Sequence, residues 1–124
     1  MTRKGLDKFG ETLMTHVRDE AIADWDMIIE GKMKDALSQR IARAVAKSPE
    51  QKALIHQLIP QIVDTTLHHL LWTLEQDNSL ELQVHEESGE TTNIAEESDG
   101  LAGDLYDWLP RFSKQRYQNP ADSV

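Results

Sequence analysis

Apolar residues recur at steps of three and four along the N-terminal part of the chain, a spacing that predicts an amphipathic α-helix. The stripe consists of Leu6, Phe9, Leu13, Val17, Ala21, Trp25 and Ile28. Gly10 is expected to weaken or divide this helix, and Gly31 to end it, because glycine adopts backbone conformations that end helices. A second, shorter helix is predicted by the apolar positions Met33, Leu37, Ile41 and Val45.

The third predicted helix begins at the clearest boundary in the chain. Ser48 can cap it, Pro49 suits the first helical position, and Gln51 occupies the capping-box position. The helix is predicted to run to about Gln76, and it is so apolar that we expect it to be central. Pro60 should kink it. The apolar arcs before and after Pro60 do not line up, so the two halves are expected to face different neighbours.

A different period follows the third helix. Leu80, Leu82 and Val84 alternate with polar residues, which predicts a strand. A turn at residues 88–89 and a return strand over residues 90–94 would complete a hairpin. The alternative is a mobile acidic loop over residues 86–97. A hairpin of two strands is marginal alone, so we expect it to lie against the helices.

The last predicted helix begins after Ser98 and extends to Phe112, and Pro110 ends or bends it. Residues 118–124 are expected to be frayed. The pattern as a whole predicts a mainly α protein. It would be one domain over residues 1–124, a helical bundle with a central Pro-kinked helix and a small β-hairpin.

Charge is distributed unevenly along the sequence. Residues 53–110 contain twelve Asp and Glu but no Lys or Arg, and the net charge is −9. Such a field attracts cationic partners, and it disfavours nucleic acid because phosphate contacts need a basic surface. We therefore expect no nucleic-acid binding.

The chain contains no cysteine, which excludes a disulfide framework, a thiolate metal site and a thiol nucleophile. Its basic N-terminus is not followed by the apolar segment of a secretory signal. The apolar stretch over residues 67–74 is too short to span a bilayer. We expect a cytoplasmic protein with no cofactor and no membrane attachment.

The acidic region over residues 77–107 is the leading candidate for a binding site. Acids beside aromatic rings are typical of a surface that grips a basic protein, because the charges steer the encounter and the rings anchor it. The candidate partner-binding residues are Glu86, Glu87, Glu96, Glu97, Asp104, Asp107 and Trp108. The alternative is that the aromatic residues belong to the core and the acids only confer solubility.

Asp64 and His68 are the candidate catalytic pair. Their spacing of four residues puts both on one side of the third helix, where a carboxylate can hold a histidine tautomer or share a metal. A metal site needs a further ligand from another helix, for which His16, Asp19 and Glu20 of the first helix are candidates. The alternative is that these histidines pack between helices, with His68 against Trp72 and hydrogen-bonded to Asp64.

The acids at the end of the first helix have two interpretations. These acids are Asp19, Glu20, Asp24, Asp26 and Glu30. The second helix could neutralise them through Lys32, Arg40, Arg43 and Lys47. Alternatively, Arg40 and Arg43 form a groove that clamps a phosphate or carboxylate.

Two runs resemble small bacterial proteins of unknown function: DTTLHHLLWTLEQ, from Asp64 to Gln76, and SDGLAGDLY, from Ser98 to Tyr106. In size, acidity and lack of cysteine the chain is also similar to immunity proteins, which neutralise bacterial toxins. That second likeness implies a binding function and transfers no site residues.

These observations favour a non-enzymatic protein-binding module, immunity- or antitoxin-like, that covers a basic partner. The alternative is a metal-dependent or acid–base enzyme with its site around Asp64 and His68 in the helical bundle. A homo-oligomer, with the apolar third helix and the three tryptophans at its interface, is a further hypothesis.

Overall fold

A computed structural model describes residues 4–117 of the chain. The first helix runs without a break from Lys4 to Ile29 and comprises α1 (Lys4–Thr12), a π-helical segment (Leu13–Arg18) and α2 (Asp19–Ile29). It is followed by α3 (Ala36–Ala46), α4 (Pro49–Gln76), β1 (Gln83–His85), β2 (Thr91–Asn93), α5 (Ile94–Glu97) and α6 (Leu101–Phe112). The prediction of a mainly α fold with a small hairpin is confirmed. The predicted fraying of residues 118–124 lies outside the described residues.

The helix ends follow local capping chemistry. Gly31 has φ +77°, the left-handed conformation that terminates α2 as predicted. The Ser48 hydroxyl accepts a hydrogen bond from the Gln51 backbone N–H at 3.2 Å and caps α4. α3 begins later than its apolar pattern suggested, because the Asp35 carboxylate caps it by accepting from the backbone N–H of Ser38 at 3.1 Å.

The π-helical segment changes which residues of the first helix face the core. A π turn contains about one residue more than an α turn, so the buried stripe shifts by one position beyond it. Met14, Arg18 and Ile22 are each 0% exposed. Val17 and Trp25, which the α-helical period assigns to the core, are 46% and 45% exposed. An arginine thereby enters the interior.

Gly10 does not divide the first helix; it permits a close contact. A Cβ at this position would lie 2.5 Å from Nε1 of Trp108 in α6. The indole is 1% exposed and packs edge-on against Phe9, with ring centroids 5.7 Å apart. The glycine is therefore explained by the close approach of α6 to α1.

The two halves of α4 pack into different clusters, as their misaligned apolar arcs predicted. Leu67 and Leu71 belong to the larger core cluster, which α1 and α6 complete. Ile59 belongs to a second cluster with Ile22 and Ile29 of α2. The helix continues through Pro60 to Gln76. The opposite side of α4 is exposed, so its apolar residues are not all covered.

The hairpin is formed as predicted. β1 and β2 are antiparallel, with Val84 paired to Thr92. The turn between them is closed by a hydrogen bond of 2.8 Å from the Glu86 N–H to the Glu90 carbonyl, and Gly89 has φ +90°. None of the helices in residues 4–117 combines the length and hydropathy that a membrane crossing requires.

Candidate functional site

Five glutamates on the hairpin turn and α5 define an acidic surface. They are Glu86, Glu87, Glu90, Glu96 and Glu97. Glu87, Glu90 and Glu96 are exposed, and the other two are partly exposed. Within residues 4–117 no Lys or Arg forms a salt bridge with any of them, so the charge of this surface is directed to solvent.

The hairpin and α5, which carry the acidic surface, pack against the core and against α1. Leu82 and Val84 of the hairpin pack against the larger core cluster. α1 approaches β2 so closely that a Cβ on Gly5 would lie 2.7 Å from the Thr92 Cβ. Ile94, the first residue of α5, is 0% exposed. The glutamates are therefore presented by a segment whose backbone is held by the core.

Three other predicted partner-binding residues are either buried or bonded to another residue of the same chain. Trp108 is a core residue, because its indole is buried between α1 and α6; this corrects its assignment to the binding surface. The Asp107 carboxylate forms an ion pair of 2.8 Å with Arg111. The Asp104 carboxylate accepts a hydrogen bond of 2.5 Å from the Ser98 hydroxyl. These three residues leave the candidate surface; the four predicted glutamates remain, and the structure adds Glu90 to them.

The predicted Asp64–His68 pair is not formed through Nδ1 of His68. Both carboxylate oxygens of Asp64 accept hydrogen bonds from Arg18, at 2.5 Å from Nε and 3.1 Å from Nη2. Nδ1 of His68 is buried and has no hydrogen-bond partner among the described residues. The His68 ring instead neighbours the rings of His69 and Tyr106, with centroids 5.6 and 6.4 Å away.

The proposed metal ligands do not converge either. Nδ1 of His16 lies 3.4 Å from Oε1 of Glu20 on the surface of the first helix, and the two side chains are 70% and 67% exposed. In the part of the chain that the structure describes, no three His, Asp or Glu side chains form a group that could hold a metal ion. The described residues therefore give no geometric support to a metal site around Asp64 and His68.

Arg18 is the centre of a buried polar network that ties three parts of the chain together. Besides Asp64 of α4, its guanidinium donates to the Ser113 hydroxyl and to the Arg116 carbonyl, each at 2.8 Å. Asp19 completes the network by accepting from the Ser113 hydroxyl at 2.6 Å. Every oxygen in this set has a donor, which is the condition under which a buried charge is tolerated.

The segment after α6 is fixed by a second arginine. Arg116 forms a two-pronged ion pair with Asp26 of α2, at 2.7 and 2.8 Å, and donates to the carbonyl of His56 in α4. Two acids of α2, Asp19 and Asp26, are thus paired with the C-terminal segment. Glu30 is paired with Lys52 of α4 at 3.3 Å. The expectation that the bases of α3 neutralise these acids is wrong for Asp26 and Glu30.

Arg116 holds the pKa of the Asp26 carboxyl below its ordinary value, chiefly by hydrogen bonding to the charged form. Asp26→Asn should lower the free energy of unfolding by about 1 kcal/mol at neutral pH. Because the folded-state pKa is the lower one, this contribution is complete above the unfolded-state pKa of about 3.9. It is lost as the pH falls through the folded-state value. Urea unfolding of both proteins across this range should therefore show converging stabilities in acid; a constant difference would contradict the assignment.

Sequence reasoning missed Arg18 and Arg116. Both act between elements that are distant in sequence, and the burial of Arg18 depends on the π-helical segment. One signal was available: Arg18 is the only Lys or Arg between Lys8 and Lys32, in a helix rich in apolar and acidic residues. No protein-family model, curated protein or solved structure matches the chain.

Proposed function

We propose that the protein is a non-enzymatic binding module that covers a basic partner protein with its acidic surface. The observation that carries the proposal is the set of five glutamates on the hairpin and α5, none of which forms a salt bridge with a Lys or Arg in residues 4–117. Elsewhere in the described chain, carboxylates such as Asp26, Asp64 and Asp107 are each paired with an arginine. Exposed acids without a salt bridge among the described residues also occur singly elsewhere, for example Asp24 and Glu50, so what supports a role outside the molecule is the concentration of five such acids in one short segment.

Physical arguments support this role. Several charges of one sign on one short segment produce a negative field, so the surface gains free energy when cations approach it. A hairpin anchored in the core needs little ordering on binding, which reduces the entropic cost. The same properties suit an immunity- or antitoxin-like inhibitor in the bacterial cytoplasm, which must capture its target quickly through electrostatic steering.

Four of the five charges of the acidic surface can be removed without disturbing the core. A variant with Glu86, Glu87, Glu96 and Glu97 changed to Gln should lose a basic partner that the wild-type chain retains. The measurement is affinity capture from the native cell extract with the tagged full chain, followed by titration of the isolated partner at several salt concentrations. Wild-type affinity should fall steeply with salt, because the contacts are ionic.

A matched control distinguishes the effect of the acidic surface on binding from the effect of net charge. It changes four exposed acids outside the acidic surface to Gln: Glu11, Glu20, Asp24 and Glu50. Both variants lose four negative charges, but only the first should lose the partner. Equal affinity and salt dependence in all three proteins would refute the proposal. Equal losses of partner affinity in both variants would show that binding depends on net charge and not on the acidic surface.

A further inference from the structure

The outer face of α4 lacks charge. Between Ala53 and Leu74 the only Asp, Glu, Lys or Arg is Asp64, and its carboxylate is bound to the buried Arg18. A surface helix ordinarily carries charged residues on its solvent side. Exclusion of charge from an exposed apolar surface is the composition that distinguishes the centre of a protein interface.

Five residues on this face follow one another at alternating steps of four and three, and we name them the α4 stripe. They are Leu58, Ile62, Thr65, His69 and Trp72. Leu58, Ile62 and Trp72 are 42%, 63% and 48% exposed. Steps of four and three are the spacing with which two helices pack side by side in a coiled coil. The stripe therefore has both the composition and the period of a helix–helix contact.

We propose that the α4 stripe is the interface with a second copy of this chain, and that the two α4 helices are antiparallel. Leu58 and Trp72 lie seven residues before and after Thr65, and Ile62 and His69 lie three before and four after it. A two-fold axis at Thr65 therefore places Leu58 opposite Trp72 of the second copy, and Ile62 level with His68, one residue from His69, of the second copy. The same patch then serves on both subunits, as a two-fold dimer requires.

An open groove of about 640 Å³ lies beside the N-terminal half of the stripe. Leu54, Leu58 and Tyr117 are among its lining residues, and Leu54 is 55% exposed. In the antiparallel arrangement, Trp72 of the second copy faces Leu58 and fills this groove. A buried tryptophan is a common energetic centre of interfaces, and the two-fold axis repeats the contact.

The charges at the two ends of α4 select the antiparallel direction. The exposed Arg43 and Lys47 precede the helix, and within the described residues neither forms a salt bridge. Asp77 and Glu81 follow its end. A helix of this length spans about 42 Å, so the two ends are far apart within one chain. Antiparallel pairing brings basic ends beside acidic ends, whereas parallel pairing juxtaposes like charges.

Sedimentation equilibrium of the full chain tests the interface. The apparent mass should rise with concentration from 14.1 kDa toward twice that value. Ile62→Glu should weaken dimerisation by at least about tenfold, because it buries a carboxylate in each subunit. Val17→Glu is the matched control, since it changes another exposed β-branched residue on a different helix. Thr65→Leu should strengthen association by completing the apolar stripe. A mass of 14.1 kDa at every concentration overturns the proposal.

Cysteine cross-linking tests the direction, since the natural chain has no cysteine. Thr65→Cys should form a disulfide-linked dimer, because the two-fold axis brings the two sulfurs within reach. Leu58→Cys should not, because it faces Trp72 of the second copy. Val17→Cys is the control, because it measures how much disulfide forms through random encounters between two chains. Efficient linkage through Leu58→Cys would indicate parallel helices, and equal linkage through Thr65→Cys and Val17→Cys would exclude the contact. Either outcome overturns the arrangement.

Discussion

Arg18→Met is expected to destabilise the protein by about 3 kcal/mol or more. The guanidinium is 0% exposed, and its removal leaves Asp64 without its cation and the Arg116 carbonyl without a donor. Methionine fills much of the same volume, so the loss reports the charge network rather than a cavity. Domains of this size are stable by only about 5–15 kcal/mol, so the variant should unfold at clearly lower urea concentration.

Arg111→Met is the matched control for that experiment. Arg111 also contacts two carboxylates, those of Asp7 and Asp107, but its side chain is 42% exposed. Solvent screens such pairs, and the expected change is at most about 1 kcal/mol. Arg18→Met combined with Asp64→Leu should recover part of the lost stability, because it removes the orphaned carboxylate as well. Equal losses in the two single variants would show that burial of Arg18 has no energetic consequence.

Hydrogen exchange would locate the effect of Arg18. The guanidinium binds Ser113 and the backbone of Arg116, so its loss should increase exchange over residues 113–117 before the rest of the chain responds. Asp26→Asn should affect the same segment, because Asp26 holds the Arg116 guanidinium. Both pairs thus fasten the C-terminal segment across α2 and α4.

The elements whose signals are local could be predicted from the sequence. Ser48 caps α4 through a contact within one turn, Gly31 terminates α2 through its own backbone angle, and the alternation from Leu80 to Val84 marks the hairpin. Each of these depends on neighbouring residues, which the sequence places together. The packing of the two halves of α4 against different neighbours could also be predicted from the sequence, because helical geometry fixes the angle between its apolar arcs.

The face of the first helix could not be predicted, because one π-helical segment rotates everything beyond it. The α-helical period places Val17 and Trp25 inside, whereas Met14, Arg18 and Ile22 occupy the core. Both carboxylate oxygens of Asp64 are bound by Arg18, so Asp64 does not form the predicted pair with His68. Contacts across 46 residues, such as Arg18 to Asp64, leave no periodic signal. Trp108 was assigned to the candidate surface for a related reason. The helical period of an apolar stripe does not reveal whether an aromatic residue in it is buried by another helix or exposed to solvent.

Gly10→Ala is expected to destabilise the protein by about 1–3 kcal/mol, although alanine is the better helix former. The added methyl would overlap the indole of Trp108, which packs against Phe9 and has little space in which to shift. Intrinsic propensity alone would predict a gain of about 1 kcal/mol at this position. Thermal and urea unfolding measure the difference, and near-ultraviolet circular dichroism reports displacement of the indole.

Gly103→Ala in α6 makes the comparison decisive. A Cβ at Gly103 meets no atom within 4 Å, so the same change should stabilise the protein by up to about 1 kcal/mol. Opposite signs for one substitution in two helices can come only from the surroundings of each glycine. If Gly10→Ala also stabilised the protein, α1 and α6 would be less closely packed than the structure requires. The larger core cluster, and the hairpin with its acidic surface that packs against it, would then have to be placed differently.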